Sequence, residues 1–164
     1  MEFKVKIKNI LILLSFIFSG CATTYKLSSL SDAEKAEFES LNKAQNEFEV
    51  KNEQAEEVWS RLNLFIANYS TLKTEISNNY TVKTYSPTSQ LCHCGYNFQK
   101  EVKGKNTKFR VLPLLIPTGI LGCHNDLPQM CERNTKLAVV YAKTGKLNPK
   151  FLNTILNGDN IDKY

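Results

Sequence analysis

The chain has 164 residues, of which 42% are hydrophobic and 23% charged, with a formal net charge of +5. That content is ordinary for a globular chain, and no stretch holds the roughly 20 apolar residues that crossing a bilayer requires. The charge is uneven: residues 31–60 hold nine acids and three bases, whereas 71–164 hold thirteen bases and six acids, a net of +7 that favours acidic partners over basic ones.

The N-terminus opens with Lys4, Lys6 and Lys8, continues as an apolar run from Ile10 to Phe18, and closes with Ser19-Gly20-Cys21. A basic start, a short apolar core and small residues before a cut site are the features of a secretory signal. With a cysteine after the cut, the segment resembles the lipobox signal of bacterial lipoproteins, although Phe18 stands where leucine is usual. The resemblance covers residues 1–21. It implies cleavage after Gly20, a diacylglycerol on the Cys21 sulfur and an acyl chain on the new amine. Ala22, in place of an aspartate, implies the outer membrane rather than the inner. Two or more acyl chains make such anchoring stable. Cleavage would leave 144 residues, which suits one domain.

Residues 21–30 read as a polar tether. Ser31-Asp32-Ala33-Glu34 then forms a capping box, with Ser31 as N-cap and Glu34 reaching back to it. No Gly or Pro interrupts the chain from there to Tyr69. Phe38, Leu41, Ala44 and Phe48 make a sparse apolar stripe, and Ala55, Val58, Trp59, Leu62, Phe65, Ile66 and Tyr69 a dense one. The expectation is a long helix of about 57 Å, its first part (31–52) a polar stalk that offers Phe38, Leu41 and Phe48 to a partner. The same stretch also allows a break between Gln45 and Asn52, and a stripe folded back on its own domain.

The body, 53–158, continues with a change of period from 3.6 to 2. Leu72, Thr74 and Ile76, then Tyr80, Val82 and Thr84, predict two strands around a turn at Ser77-Asn78-Asn79. A strand from Leu91 to Val102 places Cys92, Cys94, Tyr96 and Phe98 on one face. Lys103-Gly104-Lys105-Asn106 turns it into a strand over 107–115. After an irregular loop from Thr118 to Pro128, a helix is expected from Gln129 to Lys143 with Gly145 as its stop. A last short helix follows from Asn148-Pro149, carrying Phe151, Leu152, Ile155 and Leu156, and then a loose tail, 159–164. The order is that of an α+β fold: a three- to four-stranded antiparallel meander with helices on one sheet face.

Four cysteines follow Cys21, namely Cys92, Cys94, Cys123 and Cys131, and an even number in an exported chain points to disulfides. On a strand, Cys92 and Cys94 lie about 6.5 Å apart, near the limit for a mutual bond. Each is therefore expected to pair with Cys123 or Cys131. Loops of about 30 to 40 residues would give each bond about 3–4 kcal/mol. Two alternatives stay open. A Cys123–Cys131 bond would leave Cys92 and Cys94 for thiol redox chemistry. All four thiolates, beside His93 and His124, could instead ligate zinc, although Cys-x-Cys spacing is unusual for it.

No Gly-x-Ser-x-Gly, phosphate loop or His-Glu-x-x-His motif occurs. Lys100, Lys103, Lys105, Lys108 and Arg110 form the densest basic patch, at one hairpin. Lysines there also guard a sheet edge, and nucleic acid is not an expected partner. The sequence reads as a non-enzymatic lipoprotein of the envelope, with no cofactor beyond the N-acyl diacylglycerol on Cys21. It would bind the membrane through that lipid and another envelope component through its surface. The alternatives are a thiol-redox or zinc enzyme on the four cysteines, and an inhibitor or immunity-type lipoprotein.

Overall fold

A computed structural model describes residues 23–25, 30–87, 93–115, 127–152 and 154–156. The first helix, α1 (Asp32–Asn42), begins with the expected capping box. The Glu34 N–H donates to Ser31 Oγ at 3.3 Å, and the Ser31 N–H donates to Glu34 Oε2 at 2.8 Å. At its other end, Lys136 Nζ donates to the Asn42 carbonyl at 2.8 Å, a cation on the negative end of the helix dipole.

The expected long helix is interrupted by a strand. Residues Glu47–Lys51 form β2, with Phe48 buried and Glu47, Glu49 and Lys51 exposed, which is the alternation a half-buried strand requires. Asn46 holds the turn before it, donating from Nδ2 to Glu132 Oε1 at 2.8 Å. The second helix, α2 (Asn52–Tyr69), then buries Ala55, Val58, Trp59, Leu62, Phe65 and Ile66, the dense stripe read from the sequence. Its first residue is tied to the far hairpin, because Asn52 Nδ2 donates to the Gly104 carbonyl and Thr107 Oγ1 donates to Asn52 Oδ1.

The meander follows as β3 (Thr74–Ser77), β4 (Thr81–Thr84), β5 (Gly95–Lys103) and β6 (Asn106–Leu114). Gly104 takes φ 60°, as the tight turn between β5 and β6 demands. β2 comes back beside β6, so the sheet has five antiparallel strands in the order β2-β6-β5-β4-β3, one or two more than expected. Its inner face carries Phe48, Thr107, Phe109, Val111, Tyr96, Phe98, Val82 and Thr84, all buried. Trp59 stacks on Phe109 at 6.3 Å, and Phe65 meets Tyr96 edge-on at 5.8 Å. Each fully buried aromatic here contributes about 1.5–3 kcal/mol of burial free energy.

The third helix, α3 (Leu127–Thr144), begins two residues before the expected start and ends where Gly145, at φ 70°, donates its N–H to the Tyr141 carbonyl. The expected last helix is replaced. Pro149–Phe151 forms a single 3-10 turn, and Thr154–Leu156 becomes strand β7, paired in parallel with β1 (Thr23–Tyr25). Part of the presumed tether is thus a strand.

Phe38, Leu41 and Phe48, which the sequence offered to a partner, lie in this chain's own core at 7%, 3% and 8% exposure. Phe38 packs against Phe151 at 5.7 Å and Phe48 against Phe109 at 5.4 Å. The segment 31–52 is therefore folded onto the body, and the idea of a free stalk is corrected. The physical reason is that α3 supplies the missing cover for the thin stripe, with Arg133 set over the Phe38 ring at 5.5 Å.

Candidate functional site: the open face of the sheet

Among the described residues, α2 and α3 cover one side of the sheet, and alternate residues of the same strands form a second, open face. Register places Glu47, Arg110, Gln99 and Thr81 side by side across four strands. A second row holds Glu49, Lys108 and Glu101, and a third Leu112, Asn97, Lys83 and Ile76. Cross-strand neighbours stand close enough for their side chains to interact directly. A shallow cleft of about 200 Å³ opens in this face, lined by Tyr80, Thr81, Gln99, Lys100, Glu101, Lys108 and Arg110.

The charges there are paired. Glu47 receives Arg110 Nε at 3.0 Å on one oxygen and Lys108 Nζ on the other. The Lys108 hydrogen bond, with the charges of Lys108 and Arg110, holds the Glu47 carboxyl below its usual range. Lys83 pairs with Glu75 at 2.7 Å, and Lys103 with Glu101 at 3.4 Å. Asn97 Oδ1 is enclosed and finds no hydrogen-bond partner among the described residues. Tyr80 and Tyr85 stand exposed at 62% and 54%. The arrangement offers donors, acceptors and an aromatic ring over a rigid sheet, the kit of a polar contact surface.

The structure divides the basic hairpin patch. Lys108 and Arg110 belong to the open face, and Lys103 and Lys105 flank the exposed Gly104 turn. Lys100 points the other way, into the helices, where its Nζ meets Glu56 Oε1 at 2.5 Å and lies 5.9 Å from the Trp59 ring. Glu47, Gln99 and Thr81 were missed from sequence, since only the return of β2 beside β6 brings Glu47 into the row.

The cysteines resolve in part. Cys94 and Cys131 are joined, with Cα atoms 5.2 Å apart, linking the residue just before β5 to the first turns of α3. This bond corrects the Cys123–Cys131 alternative, and it removes two sulfurs from the four-thiolate set as potential zinc ligands. Cys21, Cys92, Cys123 and His124 lie outside the described residues, as does most of the loop from Gly119 to Pro128. The disulfide is buried beside a polar pair: Asn134 donates from Nδ2 to Cys94 Sγ at 3.8 Å and hydrogen-bonds Tyr96. Burial pushes the Tyr96 hydroxyl up to about 12, so it stays protonated. No helix among the described residues is long and apolar enough to cross a membrane. Compared with known protein families, curated proteins and solved structures, the chain matches none.

Proposed function

We propose that this chain is a lipid-anchored bacterial envelope lipoprotein whose α+β body is a non-enzymatic binding or structural module. The observation that carries the binding half is the sheet's open face, where Glu47, Arg110, Gln99 and Thr81 align across four strands, with Lys108 in the next row, beside a shallow cleft. The anchoring half rests on the signal-like residues 1–21 and on Cys21. In this reading Cys21 carries the acyl chains, Cys94–Cys131 is a structural staple, and the open face meets another component of the envelope, in the outer membrane before the inner.

The test has two arms. Intact mass of the protein extracted from membranes should show the chain cut before Cys21 with diacylglycerol and one further acyl chain. Arg110→Glu should release a co-purifying envelope component while the chain stays folded, and the swap Glu47→Arg with Arg110→Glu, which reverses that ion pair, should not restore the capture. An unmodified mass would end the anchoring half, and undiminished capture by Arg110→Glu would end the choice of face.

A further inference from the structure

We infer that the lipid anchor is joined to the fold by a two-residue link, so that the bilayer lies directly against the β1–β7 ribbon and the open face of the sheet is turned away from it. This rests on the lipoprotein reading above. Burial alone suggests a leash: among the described residues the first core residue after Cys21 is Leu30, and nine residues can reach about 30 Å. The fold shortens that reach. Thr23, Thr24 and Tyr25 pair in register with Thr154, Ile155 and Leu156, so the chain is already held two residues after Cys21. Two residues span at most about 7 Å.

The ribbon's place sets the orientation. β7 lies against α3, and it follows the 3-10 turn whose Phe151 packs on Phe38 of α1. That turn is fastened to α1 twice more, by Lys150 Nζ to Glu34 Oε1 at 2.6 Å and by Asn148 Nδ2 to Glu37 Oε2 at 2.8 Å. The ribbon therefore belongs to the helical side of the fold. Acyl chains seated two residues from it draw that side onto the headgroups. The row Glu47-Arg110-Gln99-Thr81, on the opposite side, then faces away from the bilayer and towards whatever is opposite.

The test is neutron reflectometry of the acylated full chain on a supported bilayer, beside a variant with ten Gly/Ser residues inserted between Ala22 and Thr23. Acylation of both is first verified by mass, and equal thermal melts show that both are folded. The native protein layer should begin within about 10 Å of the headgroups, and the insertion should move it outward by up to about 17 Å, the mean span of such a linker. Equal offsets in the two proteins, near or far, would overturn the inference. A chain carrying no acyl groups would instead fail the lipoprotein reading, and the mass spectrum alone would reveal that failure.

Discussion

The two faces of the five-stranded sheet are built from the same strands and differ in everything else. Inward, Phe48, Phe109, Phe98 and Tyr96 pack under Trp59 and Phe65, and even Lys100, a cation on a strand, has only 6% of its side chain exposed. Outward, one residue along each strand, stand Glu47, Arg110, Gln99 and Thr81. If the outer face binds as proposed, the period of two separates stability from recognition: substitutions inward should cost folding, and substitutions outward should cost binding.

The largest expected effects fall inward. Phe109→Ala, at 0% exposure between Phe48 and Trp59, should destabilise by about 3–5 kcal/mol in denaturant unfolding. Replacing Cys94 and Cys131 together by alanine should cost about 4 kcal/mol, given their separation of 37 residues. A smaller effect separates the two cations by face. Glu56→Gln leaves the enclosed Lys100 charge without its partner and should destabilise by about 1–2 kcal/mol, while Lys100→Met should stay within about 1 kcal/mol of the native chain. Arg110→Glu, on the open face, should cost less than about 1 kcal/mol. Were it to unfold the chain, the separation of faces would fail.

The subtlest expectation is in pH. Glu47 is held below its ordinary value by Lys108 and Arg110, and Glu34 is pushed down to about 2 by the Lys150 and Ser31 hydrogen bonds. A carboxylate with a depressed folded pKa stabilises above its unfolded value of 4.5 and loses that contribution as pH falls through the folded value. The thermal midpoint should therefore decline between about pH 4.5 and 2. Glu34→Gln should flatten that decline down to about pH 2, and Glu47→Gln should flatten it below 4.5.

Much of this was legible in the chain. The capping box at Ser31, the stripe of α2, the turn at Gly104 and the stop at Gly145 are all local signals, and each stands where it was read. β2 was hidden because Glu47-Phe48-Glu49-Val50-Lys51 alternates for only five residues, inside a stretch without Gly or Pro that also fits a helix. β1 and β7 were hidden more deeply. Each is three residues long and exists only by pairing with a segment 131 residues away, as in Thr23 with Thr154. The site divides in the same way. Lys108 and Arg110 were visible as a basic cluster, but Glu47, which pairs with both, reaches them from the far side of α2.

The most direct measurement places a photo-activatable cross-linker at Gln99, in the middle of the open face, and separately at Leu64, exposed at 46% on the outside of α2, in the acylated chain within native membranes. The account predicts one discrete envelope adduct from Gln99 that disappears with Arg110→Glu, and none of that mass from Leu64. The same adduct from Leu64, or one from Gln99 indifferent to Arg110→Glu, would contradict it.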